Sequence, residues 1–213
     1  LVAYWKDNYG YTGNDYVVIP CTIGNDLTEA SSRQNVTTTA DLRKQLGINE
    51  IDTVLVFSGS SAGWQSMDSL YQILKNAFIE NKLLKLLFLS KGTISNQLSE
   101  AFPGRVISTW VEPQKVSAYL KAADYGLLYR EESITNQVSS PVKFAEYLAA
   151  GLPVIISNRV GDYSSFVKDK NCGLLFDSIN WAALKRPSDE EKQRIQKIAF
   201  DYFTKSTYTA SYK

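Results

Sequence analysis

Residues 140–156 read SPVKFAEYLAAGLPVII and carry the signals of a short helix that leads directly into a strand. Ser140 suits the position that caps a helix, Pro141 suits its first turn, and Gly151 suits the residue that ends it. Pro153 suits the entry to a strand. The predicted bounds are 141–150 for the helix and 153–156 for the strand.

Short apolar runs recur on both sides of this helix–strand unit, and each has the length of a strand. Most of the runs are continuous rather than alternating, which predicts strands that are buried on both faces, as in a parallel sheet covered by helices. The runs lie at Tyr16–Cys21, Thr53–Phe57, Leu84–Leu89, Arg105–Ser108, Tyr125–Tyr129, Pro153–Ile156 and Gly173–Phe176.

Segments with a helical period separate these runs. Ser188 and Glu191 form the capping-box pattern that opens a last helix. This alternation predicts a doubly wound α/β fold, a parallel sheet with helices on both faces, whose ligand sites lie at the carboxyl ends of the strands. The apolar stripes are Leu70, Ile73, Leu74, Ala77 and Phe78 in one segment and Val116, Tyr119, Leu120 and Ala123 in another.

The composition excludes several classes of function. The chain has 213 residues, of which 44% are apolar, and this suffices for the core of one domain. Its 23 Lys and Arg residues against 22 Asp and Glu residues leave a formal charge of +1, too little for a basic surface that binds nucleic acid. The sequence has no histidine, so Ser-His-Asp and Cys-His nucleophiles and histidine-containing zinc sites are excluded.

The sequence also bears on location. No apolar run approaches the roughly 20 residues needed to cross a bilayer. Cys21 and Cys172 lie far apart and each sits in an apolar run, which favours buried free thiols in a reducing compartment over a disulfide. We therefore predict a cytoplasmic protein.

A first candidate site is the loop of small residues at 58–66, which includes Gly59 and Ser60 and follows a predicted strand. Uncovered backbone N–H groups beside a helix N-terminus can hold a phosphate. The loop is neither a Gly-x-Gly-x-x-Gly nor a Walker motif, and it contains no Lys or Arg. An ordinary tight turn stays open as the alternative.

A second candidate site lies at the start of the 141–150 helix. Lys143 and Glu146 are three residues apart and share one face of its first two turns, where the helix dipole favours an anion. A cation, a carboxylate and a positive helix end would then converge. An exposed ion pair without function fits the same spacing.

These residues carry a family resemblance. The pattern Pro-x-Lys-Phe-x-Glu-Tyr-Leu-Ala-Ala-Gly-x-Pro-Val-Ile, with Ala-Asp-Tyr-Gly-Leu-Leu at 123–128 before it, resembles the C-terminal donor domain of GT-B retaining glycosyltransferases of family 4. The resemblance implies a Rossmann-like half of a GT-B fold that binds a nucleotide sugar. The domains expected are a remnant or interdomain segment at 1–15, a donor-binding domain at 16–187, and a C-terminal helix and tail at 188–213.

The resemblance assigns roles around the diphosphate and the ribose. Glu146 matches the second glutamate of the family's Glu-x7-Glu motif, which accepts hydrogen bonds from ribose hydroxyls. Val138 stands where the first glutamate would be, so the contacts to the sugar differ from the standard pattern. Ser139, Ser140 and Lys143 are expected beside the diphosphate.

Further roles fall on residues at other strand ends. Trp110 and Val111 are expected near the base, although the sequence allows Trp110 to be a core residue instead. Many relatives place an Arg and a Lys in the loop after the first strand, and the corresponding loop here, at 58–66, contains neither. Lys91 and Arg130 are therefore expected as helpers in neutralising the diphosphate.

The activity implied by the resemblance is metal-independent sugar transfer with retention, and no cofactor is expected. The sequence contains no Asp-x-Asp metal-binding motif. The expected partners are a nucleoside-diphosphate sugar, a missing N-terminal acceptor domain and a glycan or lipid-linked acceptor. The first residue is Leu1 rather than Met, so the chain looks like a fragment or a processed product. Because the acceptor-side groups are absent from these residues, we expect it to bind the donor but not to transfer sugar alone. The full-length enzyme would be cytoplasmic, with peripheral attachment to a membrane left open.

Two alternatives remain at this point. A nucleotide-sugar epimerase of GT-B fold would use a similar diphosphate site, but the lack of histidine argues against it. A noncatalytic α/β interaction module would carry Lys143 and Glu146 only as surface residues. It predicts no affinity for nucleotides.

Overall fold

A computed structural model describes residues 2–24, 38–59, 67–90 and 94–212. These residues form a six-stranded sheet in which all neighbouring strands are parallel, in the order β3-β2-β1-β4-β5-β6. The prediction of a doubly wound parallel sheet is confirmed. The strands are β1 Thr53–Ser58, β2 Leu84–Leu89, β3 Val106–Ser108, β4 Tyr125–Leu128, β5 Val154–Ile156 and β6 Gly173–Leu175.

Helices connect the strands and cover both faces of the sheet. The α-helices are α1 Val2–Tyr9, α2 Thr39–Gln45, α3 Met67–Glu80, α4 Ile94–Ala101, α5 Pro113–Lys121, α6 Ile134–Gln137, α7 Val142–Ala149, α8 Tyr163–Lys170 and α9 Asp189–Phe203. Short 3₁₀ turns lie at Phe176–Ser178 and Trp181–Ala183, and a longer 3₁₀ segment lies at Lys205–Tyr212. No helix in these described ranges is long and apolar enough to span a bilayer.

The sheet has a hydrophobic core on each face, because successive strand side chains point to opposite sides. On β1, Val54 and Val56 belong to one core, and Leu55 and Phe57 belong to the other. The first core packs against α5, α7, α8 and α9, and the second packs against α3 and α4. The four inner strands β1, β2, β4 and β5 are thus buried on both faces, as predicted, whereas the edge strands β3 and β6 are partly exposed.

Asp124 joins several elements at the amino ends of the central strands. Its carboxylate is fully buried and accepts the backbone N–H of Val54 at 2.9 Å. It also forms ion pairs with Arg43 at 3.2 Å, Arg186 at 3.3 Å and Lys192 at 3.0 Å. This cluster lies at the amino ends of the strands. The candidate site residues lie at the opposite, carboxyl ends.

The strand predicted at Tyr16–Cys21 is wrong. This segment has no regular secondary structure, and Val17 and Val18 are 58% and 59% exposed. A short apolar run does not by itself distinguish a strand from other buried or packed segments, and this run has no position within the six-stranded sheet.

The segment instead crosses the outside of the helices. Cys21 N donates to Ser140 Oγ at 2.9 Å, and Ile23 N donates to the carbonyl of Phe203 at 2.8 Å. Ile23 is buried in the same core as Phe203. The contacts therefore hold residues 21–23 against the entry to α7 and the end of α9.

The predicted last helix is confirmed as α9. Ser188 is its N-cap, and its Oγ accepts the N–H of Glu191 at 3.2 Å. Both cysteines are free thiols, as expected. The expected burial is confirmed for Cys172 and is wrong for Cys21, which is only partly buried because its segment lies outside the sheet.

Candidate functional site

The topology places a crevice at the carboxyl ends of β1 and β4. These strands are neighbours in the sheet, but the chain leaves β1 towards β2 and enters β4 from β3. A crevice at such a reversal of strand order is the usual ligand position in doubly wound sheets. Ser58 and Gly59 stand at the end of β1, and Arg130 stands two residues beyond β4.

Helix α7 is fixed beneath this crevice by Tyr147. The Tyr147 ring lies against Gly126 of β4, where an added Cβ would be 2.4 Å from the ring. Its hydroxyl accepts the N–H of Ser58 at 2.9 Å. Burial raises the pKa of Tyr147 well above its ordinary value, so the hydroxyl stays protonated. One side chain thus joins α7 to the carboxyl end of β1 and to the interior of β4.

The start of α7 differs from the prediction. The helix runs from Val142 to Ala149, with Pro141 rather than Ser140 at the N-cap. The Ser140 hydroxyl cannot cap it because Oγ accepts Cys21 N at 2.9 Å and lies 2.6 Å from the Tyr163 hydroxyl. The predicted end is confirmed, since Gly151 follows the helix with φ of +80°.

Buried Asn136 organises the turn that leads into α7. Its carbonyl accepts the N–H and the hydroxyl of Ser139, at 3.3 and 2.8 Å, and the N–H of Gly161 at 2.9 Å. A Cβ at Gly161 would lie 2.3 Å from the Ser139 carbonyl oxygen, so the two loops touch backbone to backbone. The hydroxyls of Ser139 and Ser140 therefore both bind within the protein.

Lys143 and Glu146 share one face of α7, as the spacing predicts. The Lys143 Nζ lies 2.6 Å from Oε2 of Glu146, and both side chains are partly exposed. The second carboxylate oxygen, Oε1, has no hydrogen-bond partner among the residues that the structure describes. Nor do the backbone N–H groups of Val142 and Lys143 have an acceptor within those residues, as is usual in a first helical turn.

Arg130 lies beside the same turn. Its Nη1 donates to Oδ1 of Asn136 at 3.1 Å, and its backbone N–H donates to Ser157 Oγ at 2.8 Å. The side chain is partly buried, and this burial lowers the pKa of Arg130. The guanidinium nevertheless stays charged, because arginine titrates far above neutral pH.

The remaining predicted residues lie at other strand ends. Trp110, two residues after β3, is 61% exposed, which excludes the alternative that it is a core residue. Val111 is partly buried against the core that contains α7. Gly59 is partly exposed at the end of β1, whereas Ser60 and Lys91 lie outside the described residues.

A cavity of about 560 Å³, lined largely by aromatic side chains, has Ser139 and Ser140 in its wall. It separates the turn before α7 from α1 and the 3₁₀ segment at the C-terminus. Its lining includes Val17, Val18, Tyr163, Phe166, Tyr202 and Tyr208.

Sequence reasoning missed Tyr147 and Asn136. Tyr147 lies in an apolar stripe, where a tyrosine with a positioning hydroxyl has the same pattern as one that only packs. Asn136 follows Ser133 by three residues, and the Ser133 hydroxyl accepts its N–H at 3.2 Å. That short capping pattern was the one available signal.

Comparison with protein families gives a match over residues 67–206 to the model described as "Glucosyltransferase 3-like, C-terminal domain". The chain belongs to this family. The matched range includes β2 to β6, α7 and Arg130. No curated protein sequence matches this Glucosyltransferase 3-like domain.

Solved structures share the fold of this Glucosyltransferase 3-like domain. A glycosyltransferase from Rickettsia africae has a TM-score of 0.71 at 12% identity, covering 99% of this chain and 59% of its own. Sucrose-phosphate synthase from Thermosynechococcus elongatus has a TM-score of 0.67 at 17% identity, covering 99% and 54%. Alr3699/HepE from Anabaena, crystallised with UDP and glucose, has a TM-score of 0.60 at 16% identity, covering 84% and 52%.

The chain spans about half the length of each of these structures. Together with the family match, they identify it as a C-terminal GT-B domain, as the resemblance implies.

Proposed function

We propose that this domain is the donor-binding half of a retaining, metal-independent glycosyltransferase of family 4, and that its ligand is a nucleoside-diphosphate sugar. The observation that carries the proposal is the position of Lys143 and Glu146. They share one face at the N-terminus of α7, the helix that Tyr147 holds at the crevice between β1 and β4. That one face offers a cation and a carboxylate to one ligand.

The diphosphate would bind at the first turn of α7. Two of the three Lys143 ammonium hydrogens remain for phosphate oxygens, since one is directed at Glu146. The N–H groups of Val142 and Lys143 and the positive end of the helix dipole add to this field. The hydroxyls of Ser139 and Ser140 already bind within the protein, so these serines would shape the turn and contribute through their backbone.

This arrangement suits the charge that develops during transfer. The bond from the anomeric carbon to the diphosphate oxygen breaks, and its electron pair stays on that oxygen. The acceptor hydroxyl oxygen bonds to the anomeric carbon, and its proton passes to the departing diphosphate. Groups that stabilise the growing negative charge on the diphosphate lower the activation barrier of the transfer. Lys143 and the N-terminus of α7 would provide this stabilisation without a metal.

The ribose would lie beside α7, and the base would extend away from this helix. Glu146 Oε1 would accept hydrogen bonds from the ribose hydroxyls, because a carboxylate suits a diol. The exposed ring of Trp110 would stack on the base, with the Val111 backbone and Gly59 beside the nucleoside. That Alr3699/HepE was crystallised with UDP and glucose supports a nucleotide sugar as the ligand class.

The acceptor side would come from an N-terminal domain that precedes this one. In this proposal residues 1–15 are an interdomain segment, residues 16–187 bind the donor, and residues 188–213 form the closing helix and tail. The acceptor is a glycan or a lipid-linked sugar, handled in the cytoplasm. This chain alone binds the donor and does not turn it over.

Calorimetric titration with UDP, GDP, UDP-glucose and GDP-mannose tests the proposal. We expect one nucleotide to bind, and Lys143→Gln and Glu146→Gln each to weaken it about 10-fold or more, the worth of a charged hydrogen bond. The matched controls are Lys197→Gln and Asp201→Asn, which alter another exposed ion pair, on α9. Equal affinities in all four variants would refute the proposed site, and no binding at all would favour an interaction module.

A further inference from the structure

The hydroxyl of Tyr163 reaches the residue that leads into α7. Tyr163 is the first residue of α8 and is only 7% exposed. Its hydroxyl oxygen lies 2.6 Å from Oγ of Ser140. Ser140 comes directly before Pro141, the N-cap of α7. A buried side chain of α8 therefore contacts the chain at the point where α7 begins.

The Tyr163 ring is held between two other helices. Its centroid lies 4.6 Å from that of Phe144 on α7 and 6.1 Å from that of Phe203 on α9. Phe144 and Phe203 also contact each other, with their centroids 5.6 Å apart. Because both phenylalanines are buried, the Tyr163 ring has little room to move, and the direction of its hydroxyl is fixed.

Ser140 is bound from a second side as well. Its Oγ accepts the N–H of Cys21 at 2.9 Å. A serine hydroxyl has two lone pairs and one proton, so Oγ can accept the Cys21 N–H and bond with the Tyr163 hydroxyl at the same time. Residues 21–23 and α8 thus meet at one atom, Oγ of Ser140.

The first turn of α7 is attached to the rest of the domain on both of its sides. Tyr147, about one turn after Lys143, bonds to the end of β1. Tyr163 bonds to Ser140, just ahead of the turn. A phenylalanine at 163 would keep the ring contacts, so packing alone does not require the hydroxyl.

We propose that Tyr163 is a positioning residue of the donor site and acts through Ser140. This contact sets where the first turn of α7 lies, and with it the Lys143 ammonium and the N–H groups of Val142 and Lys143. The inference rests on the function proposed above and adds to it a group that acts without touching the ligand. Charged hydrogen bonds weaken with small changes in distance and angle, so displacement of this turn lowers the affinity for a diphosphate.

The test compares diphosphate binding with nucleoside binding in variants that keep the ring. Calorimetry gives the affinities of UDP and GDP, and displacement of these two ligands gives those of uridine and guanosine. We expect Tyr163→Phe to weaken diphosphate binding about 5-fold, the worth of one neutral hydrogen bond, while nucleoside affinity stays within about 2-fold. The matched control is Tyr71→Phe, which removes a hydroxyl that bonds to none of the described residues and should bind like the wild type.

A double-mutant cycle tests whether Tyr163 acts through Ser140. Ser140→Ala should also weaken diphosphate binding selectively, and the double variant should lose no more than Ser140→Ala alone. Additive losses would overturn the inference, by showing that the two hydroxyls act separately. If Tyr163→Phe does not fold, Ser140→Ala decides alone, since Ser140 lies on the exposed side of the bond. An unaltered ratio of diphosphate to nucleoside affinity in Ser140→Ala would then overturn the inference.

Thermal unfolding of the same variants gives the structural readout. A purely structural role of the hydroxyl predicts a lowered Tm for Tyr163→Phe, with diphosphate and nucleoside affinities that are unchanged or fall equally. Either result would overturn the inference and leave the donor site intact. Binding of neither UDP nor GDP by the wild type would overturn the proposed function together with the inference.

Discussion

The hydroxyl of Tyr147 lies 2.9 Å from the backbone nitrogen of Ser58, where the central strand β1 ends. This single bond joins two parts of the candidate site that are 89 residues apart in the sequence. It fixes the end of β1 relative to α7, the helix that presents Lys143 and Glu146. Any change in this bond should therefore alter both the stability of the domain and the geometry of its ligand site.

Tyr147→Phe should lower the free energy of unfolding by about 1–3 kcal/mol, because the buried N–H of Ser58 loses its acceptor while the ring packing stays. It should also weaken nucleotide binding. Urea unfolding and calorimetry check both effects. Tyr71→Phe is the control, since Tyr71 is partly buried and its hydroxyl bonds to none of the described residues. Equal stability of the two variants would show that the bond contributes nothing.

Gly126→Ala should destabilise the domain through steric conflict alone. The new Cβ would lie 2.4 Å from the Tyr147 ring, and overpacking of this kind costs about 1–3 kcal/mol. Displacement of the ring should also shift its hydroxyl from Ser58. Gly24→Ala serves as the control, because a Cβ at Gly24 would have no described atom within 4 Å. A Gly126→Ala variant as stable as the control would contradict the close approach.

Asp124→Asn should be the most damaging conservative substitution at the amino edge of the sheet. It removes the charge that compensates Arg43, Arg186 and Lys192, and breaking a buried ion pair from one side costs about 3–5 kcal/mol. Denaturant unfolding measures the loss. Asp201→Asn, at an exposed pair on α9, should change stability by less than about 1 kcal/mol. Similar losses in the two variants would disprove the central role of Asp124.

Cys172 should resist thiol reagents in the folded protein. Burial raises the pKa of its thiol to about 12, from an ordinary value of 9.0. We expect iodoacetamide at pH 8 to modify Cys21 first and Cys172 only after unfolding in urea, as peptide mass spectrometry would show. Labelling of both at equal rates would refute this.

The same shift gives a pH dependence with a defined sign. Because the folded thiol holds its proton more tightly than the unfolded one, its contribution to stability is complete below pH 9 and is lost as the pH rises towards 12. Cys172→Ala should therefore lose less stability than the wild type between these two pH values. A steeper loss in the variant would contradict the assigned direction.

Trp110→Ala should separate binding from folding. Because Trp110 is 61% exposed, its removal should change the free energy of unfolding by less than about 1 kcal/mol. If the ring stacks on the base, nucleotide affinity should fall by about 5-fold or more, the loss expected for one stacked base. Calorimetry measures this loss against the wild type. Unaltered affinity would place the base elsewhere.

The amino-acid sequence by itself determined the six strands of the sheet, the helices α3, α5, α7 and α9, and the position of Lys143 and Glu146 on one helical face. Strands buried on both faces need continuous apolar runs, and a helix needs a 3.6-residue period, so local composition encodes both. The capping of α9 by Ser188 and the end of α7 at Gly151 were likewise local, because each depends on residues only a few positions apart.

Only the tertiary structure decided which polar groups meet. Tyr16–Cys21 has the composition of a strand, but the sheet has no place for it and it packs outside the helices. Ser140 has the composition of an N-cap, yet its hydroxyl binds Cys21 and Tyr163 instead. Tyr147 reaches Ser58, and Arg130 is held by Asn136 without a carboxylate, because the folded chain brings strand ends together. Contacts between distant residues depend on the path of the whole chain, and no local pattern contains them.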